Sequence, residues 1–350
     1  MSLCVLGIET SCDETSAAVV CGDAMHPQMR SLVILSQDVH RLFGGVVPEI
    51  ASRQHLTGIV PTVRSAMHDA GVTWRDLDAI AVTYAPGLVG ALLVGTSYAK
   101  ALGLATGKPV VPVHHMEGHL FATLLEHADA SPPFTALLVS GGHTMLLDVA
   151  AWGSYRLLGE TRDDAAGEAF DKVAKLLGLP YPGGKHIEAM AASVTTPSVR
   201  FAKPMVRANA QLGDDDFYDL SFSGLKTAVL HAVRAAEKAN TIDVSRAAIA
   251  RGFQDALIGT LVEKVERAVR VHKRKRVVLG GGVACNVALQ RAVADRLAAR
   301  GVSVFAPSPR LATDNAAMIA AAGLYQYAVG TRAEASLTAH ASLPLPGLES

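Results

Sequence analysis

Apolar and polar stretches alternate along this chain so that two halves follow the same order. Leu3 to Ile8 and Ser16 to Val20 are apolar runs flanking Glu9-Thr10-Ser11-Cys12-Asp13-Glu14-Thr15, which predicts strand, polar turn, strand. In His40–His55, Gly44-Gly45 breaks the chain and Pro48 suits the first turn of a helix that Pro61 kinks or ends. Ala79 to Thr83 reads as a strand, Tyr84 to Gly87 as a loop, and an apolar helix follows to Gly103. Pro109 to Val113 is a buried strand that feeds a helix beginning at His114-His115. The pattern then recurs. Phe134–Ala150 is strand, turn (Ser140-Gly141-Gly142-His143-Thr144), strand; Arg276–Leu297 is strand, glycine loop, helix; Val302–Ala322 is strand, proline-rich loop, helix. The period exceeds a hundred residues, so this is one duplication rather than a short repeat.

The boundary falls near His127–Pro133, a short polar and proline stretch. We expect an N-terminal lobe over 1–130, a C-terminal lobe over 131–325 with a helical insertion at about 160–250, and a tail over 326–350. The insertion holds a helix in Arg162–Gly178 with Phe170, Val173, Ala174 and Leu177 on one face and Asp171 at its edge. It also holds a tight turn at Tyr181–Gly184, a helix capped by Ser223, and a long helix over Val244–Lys273. After Thr338 no apolar period is sustained, so the tail is expected to fray. Two α/β halves of matching topology imply a cleft, faced by the loops at the carboxyl ends of the parallel strands.

His115 and His119 stand four apart, on one face of the predicted helix and about one turn from each other. Two such imidazoles can grip one transition metal, or they are ordinary helix histidines. The spacing resembles a zinc protease helix, but that pattern needs a glutamate directly after the first histidine, where Met116 stands; Glu117 points elsewhere. The duplication pairs this helix with the one at Asp314, and a pseudo-twofold would bring that carboxylate to the histidines. Two histidines and one carboxylate form a catalytic rather than a closed structural set. Asp314 alone also reads as a helix N-cap. The first hairpin turn, with hydroxyls, backbone N–H groups and two acids, suits a phosphate or metal, or is a solvated tip.

Composition narrows the picture. Among 350 residues the 32 Lys and Arg balance the 32 Asp and Glu, which argues against a broad nucleic-acid surface. One basic run stands out, Arg270-Val271-His272-Lys273-Arg274-Lys275-Arg276; it reads as a solvated helix end favoured by the helix dipole, or as an RNA phosphate contact. Cys4, Cys12, Cys21 and Cys285 form no CxxC pair, which argues against a disulfide framework and for a reducing compartment. No signal peptide is expected. Gly87–Thr106 is apolar but broken by Ser97, Lys100 and several glycines, and reads as a packed strand-loop-helix rather than a membrane span.

Taken together, GIETSCDET, GGVVPEIASR, PGLVGALLVG, HHMEGHL, LLVSGGHT, DDAAGEAFDKVAKLLGLPYPGG, DLSFSGLKT, GGVACN and TDNAAMIA resemble the bacterial tRNA adenosine threonylcarbamoyltransferases, over about Leu3 to Gly323. The resemblance implies a duplicated actin-like ATPase (ribonuclease H-like) α/β fold facing a central cleft. It implies transfer of threonylcarbamoyl from threonylcarbamoyl-AMP to N6 of adenosine 37 in tRNAs that read codons starting with A, with release of AMP. It further implies one divalent metal, Fe2+ or Zn2+, on His115, His119 and Asp314. The adenylate would be bound by Leu138, Val139, Ser140, Gly141, Gly142, Asp171, Gly184, Glu188 and Asn286, and Asp13 and Glu14 match acids that matter for activity. No residue pattern decides which of the two is the base. The chain departs from the family at Lys185-His186. Implied partners are an inactive actin-like paralogue, a small P-loop ATPase and an enzyme that makes the adenylate, in the cytoplasm and away from any membrane. The competing readings are an ATPase or phosphotransferase of the same fold, a zinc endopeptidase, and a non-catalytic nucleotide-binding scaffold.

Overall fold

A computed structural model describes residues 2–195, 198–214 and 216–349. In chain order, β1 (Leu3–Glu9), β2 (Glu14–Asp23) and β3 (His26–Ser36) are followed by α1 (Pro48–Ala70), β4 (Ala79–Ala85), α2 (Val89–Thr106), β5 (Val110–His114) and α3 (His115–Leu124). Next come β6 (Phe134–Val139), β7 (Thr144–Ala151), β8 (Ser154–Glu160), α4 (Ala166–Leu176), α5 (Gly184–Ala192), α6 (Ser223–Lys238) and α7 (Ile242–His272). The chain ends with β9 (Arg276–Gly280), α8 (Val287–Ala298), β10 (Ser303–Phe305), α9 (Pro309–Ala312), α10 (Ala316–Ala328) and β11 (Leu348–Glu349).

Two compact units result. The first comprises Met1–Ser131 and Pro307–Gly347, the second Pro132–Ala306 and Leu348–Ser350. The first sheet runs β3-β2-β1-β4-β5, with β1–β2–β3 antiparallel and β4 and β5 parallel to β1. The second runs β10-β9-β6-β7-β8-β11, with β6–β7–β8 antiparallel and β9 and β10 parallel to β6. The predicted hairpin followed by two parallel strands thus occurs twice, each time with a third antiparallel strand, β3 or β8, that the apolar pattern did not predict. β1, β4 and β6 are buried on both faces, which explains why they read as continuous apolar runs rather than as alternations.

The second boundary departs from expectation. Residues 307–347 belong to the first unit, not to a C-terminal lobe ending at 325. The cause is α10, rich in Ala and Gly, which lies on β1, β2 and β4. Its approach is close enough that a Cβ on Gly7 would collide with the Ala316 carbonyl and sit 2.7 Å from Ala320 N. Small residues on both surfaces permit this contact, and it is non-local in sequence.

Four further expectations need correction. Pro61 does not end α1; the helix continues to Ala70, because Ile59, Thr62, Val63 and Ala66 form its buried face. Ser223 does not cap α6. Asp163 does, accepting from Phe222 N (2.7 Å) and Ser223 N (3.2 Å) and from the hydroxyls of Ser221 and Ser223. The tail does not fray: Ala333 N donates to Val110 O, His340 N to Tyr84 O, Gly87 N to Ala341 O, and Lys100 Nζ to Ala335 O and Leu337 O. Backbone pairing holds this stretch without an apolar period. Finally, Cys4 and Cys21 are bonded. They are register partners on β1 and β2, with Cα atoms 4.1 Å apart, a proximity no local spacing reveals. The helix α2 has the length and composition to cross a membrane, yet its Ala91, Leu92, Gly95, Thr96 and Ala99 are buried as it packs on β4 and α1.

Candidate metal centre and nucleotide loops

Three elements of the first unit converge on one point. β5 carries the chain out of the sheet at His114, and α3 starts at His115, so His115 and His119 lie one turn apart on its first two turns. The α9–α10 connection supplies Asp314. Asn315, not Asp314, is the N-cap of α10, its Oδ1 accepting from Met318 N at 3.1 Å. Asp314 Oδ1 lies 3.4 Å from both His115 Nε2 and His119 Nε2, and the three ligating atoms fall within 4.8 Å of one another. The two rings meet edge to face at 4.7 Å.

The chemistry of this donor set fits a divalent transition metal. His119 is 1 % exposed; its Nδ1 has no hydrogen-bond partner among the described residues, and its Nε2 faces Asp314 Oδ1 at 3.4 Å. A buried imidazole with a nitrogen left unpartnered is costly unless the site supplies a compensating ligand. Burial also lowers the pKa of His119, which leaves it neutral and able to ligate. Burial acts against protonation of His115 too, but Asp314 and Glu9 outweigh it and raise its pKa to about 10. Asp314 stays ionised despite burial because His115 and His119 hold its pKa down.

Behind His115 stands Glu9, fully buried at the end of β1. Its Oε1 accepts from Ser11 N, and its Oε2 accepts from Thr83 Oγ1 at 2.6 Å and lies 3.2 Å from His115 Nδ1. Ser11 Oγ is also 3.2 Å from that nitrogen. A carboxylate on the far nitrogen of a ligating histidine fixes its ring and tautomer. Glu9 and Ser11 were not among the sequence candidates. The one available signal was an acid at the end of an otherwise apolar strand. Glu117 faces away, both its carboxylate oxygens accepting from Gln326 Nε2 at 2.9–3.0 Å, so the base of a zinc peptidase is missing.

Asp13 ends the β1–β2 turn and Glu14 is the first residue of β2. Burial, then Asp314 and Asp13, push Glu14 up to about 10, so it carries a proton at neutral pH. His55, buried in α1, braces this turn through Thr15 Oγ1 (2.7 Å) and the Cys12 carbonyl (3.0 Å).

The remaining candidates lie in the second unit. Leu138 and Val139 end β6 with side chains wholly in the core, so only their backbone can meet a ligand. Ser140, Gly141 and Gly142 form the β6–β7 turn, and a Cβ on either glycine would meet open space. Gly167 N, at the start of α4, donates to Ser140 O at 3.0 Å. The Gly281 loop abuts the end of β6; a side chain there would collide with Val139 O, and φ is +85°. Asp171 Oδ1 accepts from Gly183 N at 2.6 Å, and burial raises its pKa. Gly184 opens α5 beside it. Glu188 Oε1 accepts from Val287 N at 2.7 Å, at the start of α8. Asn286 is the N-cap of α8: its Oδ1 accepts from Leu289 N at 2.9 Å and its Nδ2 donates to Gln254 Oε1 at 3.1 Å. These two bonds fix the loop and leave one N–H and one lone pair of the amide for further contacts.

Solved structures share the fold at low identity. A full-length HypF in its phosphate- and nucleotide-bound form aligns with a TM-score of 0.61 at 13 % identity, over 93 % of this chain and 46 % of that one. Component A of the Acidaminococcus fermentans (R)-2-hydroxyglutaryl-CoA dehydratase gives 0.54 at 13 %, over 94 % and 99 %. These likenesses concern the fold alone and bear out a duplicated actin-like ATPase architecture. Sequence relatives are far nearer. Proteins named tRNA N6-adenosine threonylcarbamoyltransferase are 69 % identical in Gemmatimonas aurantiaca (98 % of each chain) and 50 % in an Anaeromyxobacter species (96 % of this chain, 98 % of that one). A third, from Clostridium perfringens, is 46 % identical over 97 % of this chain and 98 % of that one. The family profile of the same description matches residues 28–321, a span that includes the two histidines, Asp314 and the glycine loops. With both sequence and fold in agreement, this chain belongs to the tRNA N6-adenosine threonylcarbamoyltransferase family.

Proposed function

We propose that the chain, a tRNA-modifying acyltransferase by family, takes threonylcarbamoyl-AMP as donor and adenosine 37 of tRNAs reading codons that start with A as acceptor, releasing AMP. The observation that carries a metal-dependent form of this reading is the convergence of the buried His115 and His119 with Asp314, whose ligating atoms all lie within 4.8 Å of one another. We infer that these three hold one Fe2+ or Zn2+. When bound, such an ion polarises a donor carbonyl and fixes its orientation. Glu9 and Ser11 would orient His115 for that task.

The acceptor is an exocyclic amine, a weak nucleophile that must lose a proton as the carbamoyl bond forms. Glu14 already carries a proton, so we assign the base role to Asp13 and a hydrogen-bond-donating role to Glu14. Gly141 and Gly142, with open space where side chains would stand, let the donor's phosphate approach the turn's backbone N–H groups closely. In this reading Ser140, Leu138 and Val139 contribute through backbone, and Asp171, Gly184 and Glu188 shape the ribose end. Asn286 acts through the loop it caps. Partners of the reaction are the enzyme that makes the adenylate, an inactive actin-like paralogue and a small P-loop ATPase, and the compartment is the cytoplasm. The Cys4–Cys21 bond removes the cysteine-based argument for a reducing compartment, so that assignment leans on the family.

The test is a transfer assay with purified partners, threonylcarbamoyl-AMP and unmodified tRNA, read by mass spectrometry of the anticodon loop. Modified adenosine in the wild type, lost in His119→Ala, supports the reading. Nucleotide hydrolysis without modified tRNA would instead support the ATPase alternative.

A further inference from the structure

The basic run Arg270–Arg276 plays no part in either site above, and the structure gives it a shape. Helix α7 ends at His272, and Lys273 takes a left-handed conformation (φ 55°) that turns the chain back toward β9. The turn, together with the residues just after α8, walls a cavity of about 500 Å3 lined by Arg270, Lys273, Arg274, Lys275 and Arg300. Lys275 Nζ donates to Arg300 O at 3.3 Å, tying the two walls together.

The charges at this cavity do not cancel. Arg274 is spent on Asp148, in a two-pronged contact at 2.6 and 2.8 Å, and Arg300 on Glu266 at 3.0 Å. Of five cations, two are thus neutralised. Arg270, Lys273 and Lys275 have exposed side chains and no carboxylate partner among the described residues. Cations at helix C-termini offset the dipole, but two helix ends supply only about one negative charge between them. About two positive charges remain with no carboxylate to balance them. In a chain whose net charge is zero, that local surplus stands out.

We propose that this cavity is a phosphate-backbone anchor for the tRNA substrate. A concave site lined by guanidinium and ammonium groups suits successive phosphates, which arginine meets bidentately and lysine as a point charge. The cavity lies at the start of β9, whereas the Gly281 loop lies at its end, five residues on; at about 3.3 Å per residue that is roughly 16 Å. The anchor therefore grips backbone away from the reacting base. Such contacts position the nucleic acid without reading sequence. The inference rests on tRNA being the substrate.

The triple variant Arg270→Gln, Lys273→Gln, Lys275→Gln tests it, assembled with the same partners as the wild type. Labelled unmodified tRNA is titrated at a series of salt concentrations, and transfer kinetics are measured alongside. Losing three phosphate contacts should weaken tRNA binding roughly ten- to a hundred-fold and make the log–log salt dependence shallower by about 2 to 3. KM for tRNA should rise, while kcat and KM for the donor stay constant. Lys273→Gln alone, at an exposed site, should lower the slope by about one and serves if the triple variant folds poorly. An unchanged slope and unchanged KM overturn the inference. So does an unchanged slope with loss of partner association, which would assign the cavity to an acidic protein. A wild type that neither binds nor modifies tRNA would overturn the substrate reading as well.

Discussion

Metal binding at the His115–His119–Asp314 group should release protons. The pKa of His115 stands at about 10, because Asp314 and Glu9 outweigh burial. A metal needs the Nε2 lone pair, so at pH 7 only about one molecule in a thousand has His115 ready to ligate. That competition costs about 4 kcal/mol at pH 7 and shrinks by about 1.4 kcal/mol per pH unit. His119 contributes no proton, since burial has already lowered its pKa. Glu14 contributes part of a second: burial is the larger cause of its pKa near 10, and a cation on Asp314 offsets only the repulsion from that carboxylate. Calorimetric titration with Zn2+ between pH 6.5 and 8, in two buffers of different ionisation enthalpy, reads the number directly. The wild type should release between one and two protons per metal. Glu14→Gln should release about one, with apparent affinity rising close to tenfold per pH unit. Zinc binding without proton release in Glu14→Gln, or no binding at all, would refute the account of His115.

Other outcomes follow from the same geometry. Gly7→Ala should destabilise the protein by about 3 kcal/mol, since a Cβ there meets α10 backbone that cannot move aside; a denaturant melt checks this. Removal of residues 332–350 should speed amide exchange at 84–90, where Tyr84 O and Gly87 N lose their partners, while exchange in β6 and β7 stays as it was. Glu14→Gln should stabilise the metal-free protein at pH 8 but not at pH 4. The wild-type carboxyl keeps its proton in the fold up to about pH 10 while the unfolded chain releases it near 4.5, so folding loses stability as pH rises between those values. Thermal melts of the variant and wild type at both pH values decide the point.

Much of this protein was determined locally and is readable from the chain. Strand and helix periods depend on neighbours a few residues apart, so β1, β4, β6 and the helices α2, α3 and α8 match the apolar pattern, and the repeated order reveals the duplication. The i, i+4 spacing of His115 and His119 places them on one helix face whatever surrounds them. Tertiary structure decided what lies between distant segments. The β1 strand brings Glu9 to the far nitrogen of His115 across 106 residues, and a close-packing α10 returns 307–347 to the first unit. Glu188 and Asn286 turned out to be committed to α8, and Asp163 rather than Ser223 caps α6. Cys4 and Cys21 pair because two strands happen to align them. Each of these outcomes depends on which surfaces pack together and on which buried donors then need acceptors. That competition is settled only when the whole chain has folded, and no window of the sequence contains it.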